Sequence, residues 1–197
     1  MEELWSEWLS FLAKGGVVMW PLAVSAVVLW FALAYRLFKL RRGTNLGIRE
    51  LIERIPGESD AKPPATTGFI DTAAVVAVRV RRIYAGEIRR FLDDELFQLI
   101  EDMGGFRTLI RTIVLVAPLA GLLGTVSGMI EMFESLGDQT FYSQSGGVAN
   151  GISQALFTTE FGLVIAIPGM VIGRLLDRKE MKMREEIEQI KEYLNKS

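Results

Sequence analysis

The 197-residue sequence contains no cysteine and no histidine. The first absence excludes a disulfide framework and thiolate metal sites. The second excludes Ser-His-Asp and Cys-His nucleophilic triads and, with the first, the common zinc sites. An enzyme built on this chain would depend on carboxylate, lysine or tyrosine chemistry alone, so neither catalysis nor a cofactor is expected. A dominant charge is lacking too: 22 basic residues stand against 24 acidic, a formal net charge of -2 that draws neither nucleic acid nor an acidic partner. The arginine clusters are interleaved with acidic residues or flank apolar runs, and no basic patch stands free as a nucleic-acid surface requires.

Apolar sequence is what abounds. Half of the residues are hydrophobic, gathered in a few long runs. From Gly15 to Tyr35 there is no charge, and at about 1.5 Å per residue such a run crosses a hydrocarbon core of about 30 Å. Trp20 and Tyr35 lie near its ends, where amphipathic rings prefer to sit, and Pro21 is tolerated near a helix start. The preceding segment is acidic and no small-x-small site follows, which argues against a cleaved signal peptide. The second run, Thr112 to Ile130, contains Pro118, Gly121, Gly124 and Gly128; the third, Val148 to Leu176, is interrupted only by Glu160 and Arg174. Gly and Pro weaken a soluble helix but serve close packing in a membrane.

Basic residues set the orientation. Arg36, Lys39, Arg41 and Arg42 follow the first run and Arg174, Arg178, Lys179, Lys182 and Arg184 the third, whereas Glu131, Glu134 and Asp138 follow the second without a Lys or Arg. The positive-inside rule then places the N-terminus outside and the C-terminus in the cytoplasm. The expected fold is an all-α integral membrane protein with three spans and long cytoplasmic helical extensions. Its segments are an outer-face interfacial helix at 1–14, spans at 15–38, 108–133 and 148–176, a cytoplasmic linker and amphipathic helix at 39–107, a periplasmic loop at 134–147, and a cytoplasmic helix at 177–197. The linker from Pro56 to Gly68 is rich in Pro, Gly and Ser, and the apolar stripe from Ala73 to Leu99 predicts one amphipathic helix, with Gly104-Gly105 able to bend its continuation into the second span.

Within the spans the polar residues are informative, since an ionisable group at mid-bilayer costs about 2.5–3.5 kcal/mol on the gentlest scale. Thr158, Thr159 and Glu160 stand in succession in the third span, and Thr125 in the second. Thr159 precedes Arg174 by fifteen positions and Thr125 follows Arg111 by fourteen, which places each about 21–23 Å from its cytoplasmic charge and, in antiparallel neighbours, level with the other. Thr125 shares a face with Pro118, Gly121 and Gly128, and Thr159 with Ala155, Gly162 and Gly173. Packing alone also accounts for such features: threonine bonds the carbonyl one turn back, and Gly124-x-x-x-Gly128 and Gly169-x-x-x-Gly173 are helix-packing motifs. Glu160 demands a partner, a wet cavity or neutralisation. A helix–helix hydrogen bond or a snorkelling carboxylate would also satisfy it.

The runs Ala117 to Ile130, APLAGLLGTVSGMI, and Ile152 to Gly169, ISQALFTTEFGLVIAIPG, closely resemble the MotA/TolQ/ExbB proton-channel family, nearest its ExbB/TolQ branch. The resemblance implies a homo-oligomeric, pentameric ring in the bacterial inner membrane, with a small single-span partner similar to ExbD or TolR inside it. It further implies threonines matching Thr125 and Thr159 along a proton path, a partner aspartate as main carrier, and work delivered through a TonB- or TolA-like transducer. Gln154 stands where the ExbB-like glutamate is expected and cannot exchange a proton, while Glu160 falls where many relatives carry a small residue. A motility stator of the MotA type and a non-conducting membrane scaffold are the competing readings; the first lacks its expected four-span layout here.

Overall fold

The computed structural model describes residues 15–41, 43, 47–54, 68–83, 88–137 and 144–196. All regular structure among them is helical: α1 (Gly16–Lys39), α2 (Ile48–Arg54), α3 (Phe69–Ile83), α4 (Ile88–Met103), α5 (Arg107–Gly137) and α6 (Gln144–Lys196). Of these, α1, α5 and α6 contain stretches long and apolar enough to cross a membrane, so the all-α fold with three candidate spans is the one observed. The expected helix at 1–14, most of the linker at 56–68 and the centre of the loop at 134–147 lie outside the described residues.

The chain divides into two compact units, Met1–Leu33 with Thr108–Gly173, and Ala34–Arg107 with Arg174–Ser197. In the first, α5 and α6 run antiparallel, because the close approaches pair a rising number with a falling one: Ile110 with Gly173, Ala117 with Gly162, Gly121 with Thr158 and Thr159, and Gly128 with Gly151 and Ala155. The small residues recur at intervals of four and three on both helices, 117, 121, 124, 128 and 151, 155, 158, 162. That spacing lays one narrow stripe along each helix and lets the backbones meet. A Cβ added to Gly128 would stand 2.7 Å from the Gly151 carbonyl oxygen, and one added to Gly162 would stand 2.7 Å from that of Ala117. Here α1 lies parallel to α6, since Gly16 meets Gln154 near its start and Leu29 meets Gly169 further on. Gly16 takes a φ of 65° in that contact and leaves no room for a Cβ beside the Gln154 amide.

In the second unit α3 buries Ile70, Ala73, Ala77 and Val80, α4 buries Leu92, Leu96 and Met103, and the tail of α6 buries Leu176, Met183, Ile187, Ile190 and Leu194. The single amphipathic helix expected from Ala73 to Leu99 is two helices, α3 and α4, with Gly86 between them in the sequence. A turn then ends α4: the Gly104 N–H donates to the Glu101 carbonyl at 3.0 Å and the Arg107 N–H to that of Gly104 at 3.1 Å. Phe106 in this turn has a φ of 61°, a left-handed conformation rarely adopted by a bulky side chain, and its ring stands edge-on to Tyr35 with centroids 5.1 Å apart.

A Gly128→Val chain forces its added carbons against the facing backbone, which cannot swing aside as a side chain would. A loss of about 1–3 kcal/mol is expected, read as a lowered unfolding midpoint in detergent. Gly47→Ala, with nothing within 4 Å of the added Cβ, should leave the midpoint unchanged; equal midpoints for all three proteins would refute a close-packed seam.

Candidate functional site

The polar residues of the first unit fall into three environments. Thr159, half-buried on α6, donates its hydroxyl hydrogen across the helix pair to the Gly121 carbonyl of α5 at 3.2 Å. A helical carbonyl oxygen keeps a second lone pair after accepting its backbone bond, and Gly121 has no side chain to cover it. Thr125 is also half-buried, but its hydroxyl donates within α5 to the Leu122 carbonyl at 2.6 Å. Since Thr159 sits opposite Gly121, one turn before Thr125, the two hydroxyls stand within about one helical turn in height.

Thr158 has a different task. It is fully buried, bonds back to the carbonyls of Gln154 and Ala155 at 3.2 and 3.1 Å, and fills the space left by Gly124. Adjacent threonines thus divide the work, Thr158 packing inside one helix pair and Thr159 bonding across it.

Gln154 is buried, touches Gly16 and donates from Nε2 to Glu131 Oε1 at 3.1 Å, so its amide joins the three spans near the N-terminal end of α6. An amide can occupy this place without a charge to neutralise. Glu160 lies on the opposite side of α6 from Gly162. It is exposed on the single chain and shares its face with Leu156, Leu163, Val164 and Ile167, all exposed. Among the glycines, Gly121, Gly124, Gly128 and Gly162 are buried between α5 and α6, Gly169 meets Leu29 and Val114, and Gly173 meets Ile110. Pro118 lies inside α5, half-buried.

The second unit holds a cluster absent from the expected site. Arg36 and Glu180, each 1% exposed, form an ion pair; Arg36 Nη2 also lies 2.8 Å from Asp177 Oδ1. Arg107 Nε approaches the same Asp177 oxygen at 3.4 Å, and Arg107 Nη1 lies 3.7 Å from Glu180 Oε1. Arg184 donates to that Glu180 oxygen from Nη2 at 2.7 Å and from Nε at 3.1 Å. Three guanidinium groups therefore surround two carboxylates, and residues from α1, α5 and α6 meet. A sequence signal existed. Leu176, Glu180, Met183, Ile187, Ile190 and Leu194 recur at four- and three-residue intervals, and a carboxylate in a core stripe needs a buried partner. Further along α6, Lys191 bonds Asp93 and Glu188 at 3.0 Å each. Burial pushes its ammonium pKa down, but the bonds to Asp93 and Glu188 outweigh that and leave it raised. The pair's contribution is thus complete below the ordinary lysine range and fades only as pH climbs through the raised value.

The sequence pattern of the MotA/TolQ/ExbB proton channel family matches residues 66–189, more than half of the chain. The biopolymer transport protein exbB1 of Vibrio cholerae is 27% identical over 192 residues, 91% of this chain and 83% of that protein. The biopolymer transport protein ExbB of Salmonella typhimurium is 39% identical over 77 residues, 39% of this chain and 31% of that protein. An ExbB-like protein of Synechocystis is 42% identical over 71 residues, 36% of this chain and 34% of its own length. In these last two the matched part is about a third of the relative.

Removing Glu180 leaves Arg36 buried without its nearest carboxylate, and Glu180→Ala is expected to cost about 3–5 kcal/mol. Arg184→Ala removes a partner that is 42% exposed and should cost about 1 kcal/mol or less. Unfolding midpoints in detergent give the order; a larger loss for Arg184→Ala would show that the buried pair does not anchor this unit.

Proposed function

The chain belongs to the MotA/TolQ/ExbB proton channel family, and from that premise we propose that it is the ring-forming subunit of an inner-membrane proton motor of the ExbB/TolQ type. The family is one of channel proteins, and transport is therefore its activity. In this proposal several copies, five in the full ring, surround the single span of an ExbD- or TolR-like partner. Proton-motive force becomes movement of that partner, and a TonB- or TolA-like transducer carries the work to an envelope or outer-membrane transport process. The N-terminus faces the periplasm and the C-terminus the cytoplasm, as the basic flanks require.

One observation carries this reading: the hydroxyl of Thr159 crosses to the Gly121 carbonyl, with the Thr125 hydroxyl within about one turn of it. Both threonines are half-buried on the helix pair, where a proton-carrying side chain from a partner span can meet their hydroxyl oxygens. The chain supplies a polar wall, and the ionising aspartate comes from the partner. Glu160 is the one carboxylate within the hydrophobic stretch of α6; it stands on the outer face of that helix, one residue round from Thr159, and offers an additional polar point beside that wall. Gln154 holds the three spans together beside the path.

Complexes purified from native membranes test the assembly: a fivefold ring with a short, aspartate-bearing single-span protein inside is expected, and a closed bundle with no interior helix would overturn the proposal. Thr159→Val should leave that assembly intact while lowering proton-driven activity on the order of tenfold, the value of one hydrogen bond to the moving group. Thr125→Val should act in the same direction. Full activity in both variants would remove the hydroxyl wall. Glu160→Gln is expected to reduce proton flux in reconstituted vesicles, and unchanged flux would take Glu160 off the path.

A further inference from the structure

Two outward faces of the second unit carry opposite charge. On α3, the side turned away from Ile70, Ala73, Ala77 and Val80 presents Arg79, Arg82 and Ile83, the last 62% exposed. On α4, the side turned away from Leu92, Leu96 and Met103 presents Asp94, Phe97 and Glu101, with Phe97 also 62% exposed. Intervals of three and four residues place each set on one face of its helix. Each face therefore sets one large apolar side chain among charges mainly of one sign; on α4 the exposed Arg90, one turn before Asp94, ends the acidic stretch of the face. Of the nearby charges, Asp93 bonds Lys191, and Arg36, Arg107 and Arg184 belong to the buried cluster.

The geometry points to a contact between neighbouring copies of this chain, with the Arg79–Arg82–Ile83 face of α3 in one copy against the Asp94–Phe97–Glu101 face of α4 in the next. The inference rests on the proposed ring and names the surfaces that close it. A contact between two different faces is head-to-tail, and repeated by rotation it generates a ring or a filament. Copies held in one bilayer with one orientation share a plane, so the repeat closes. Like-to-like contact is disfavoured, because it would set Arg79 and Arg82 against the same arginines or Asp94 and Glu101 against the same carboxylates. Exposed ion pairs are individually weak. Here they choose which faces meet, while Ile83 and Phe97 supply apolar burial and the shared membrane supplies high effective concentration.

The cysteine-free chain offers a direct test. Full-length chains carrying Ile83→Cys and Phe97→Cys are co-produced in membranes and oxidised with copper phenanthroline. A mixed disulfide dimer is expected in about tenfold excess over the same-variant dimers. Adding Arg79→Glu and Arg82→Glu to the Ile83→Cys chain should abolish that excess. Adding Asp94→Arg and Glu101→Arg to the Phe97→Cys chain as well should restore it, a rescue that a merely misfolded variant cannot give. No excess of the mixed dimer, or no restoration by the double reversal, overturns the contact. If the unmutated complex is still a fivefold ring in that case, the ring stands and only these surfaces fail; if the unmutated chain is a single copy, both fail.

Discussion

Two apolar helices in hydrocarbon gain little by burying leucine against each other, since lipid tails are as apolar as leucine. What holds them is close contact that lipid cannot match, and that requires the backbones to approach. The seam between α5 and α6 meets this requirement with glycine, alanine and threonine at intervals of four and three. Backbone approach also lets a side chain on one helix reach a carbonyl on the other, as Thr159 does at Gly121. The polar chemistry of the first unit therefore follows from its packing. A larger residue at position 121 would push the helices apart and break both the contact and the Thr159 bond.

The same physics sorts the remaining residues. Large apolar side chains stay on the outer faces of α1, α5 and α6, among them Trp30, Phe31, Leu115, Leu119, Leu156 and Ile167. In a membrane that surface suits lipid, another copy or a partner span. In the second unit, where α3, α4 and the tail of α6 carry charge along their exposed sides, burial of leucine, isoleucine and methionine drives packing in the ordinary way. The ion cluster around Arg36 and Glu180 sits within that apolar core. Its attraction has to offset the loss of water around both charges, which makes it a specific tie among three helices more than a source of stability.

Much of this was legible in the sequence. Three long apolar runs, the third broken only by Glu160 and Arg174, announce the spans, and the positions of Gly121, Gly124, Gly128 and Gly162 suggest a seam, because intervals of three and four leave few other arrangements. The family could be read from Ala117 to Ile130 and Ile152 to Gly169. The division into α3 and α4 was hidden, since the apolar stripe from Ala73 to Leu99 keeps a helical period across Gly86 and periodicity alone does not mark a break. The tie from Gln154 to Glu131 was hidden for a different reason: twenty-three residues separate the two, and no local pattern shows which side chains antiparallel helices bring together. The Arg36 cluster lay between these cases. Its arginine read as a membrane flank, and only the place of Glu180 in a heptad-like stripe betrayed burial.

The direction of the hydrogen bonds at the seam has a chemical consequence. A threonine hydroxyl owns one hydrogen, and in both Thr159 and Thr125 it is committed to a backbone carbonyl. Toward any visitor each hydroxyl can then offer only lone pairs. Such a lining welcomes a neutral carboxylic acid or a hydrated cation and repels a bare carboxylate. In the proposed motor a carrier would dock while protonated and be discouraged once it has lost its proton and become a carboxylate, a discrimination that needs no ionisation of the wall itself.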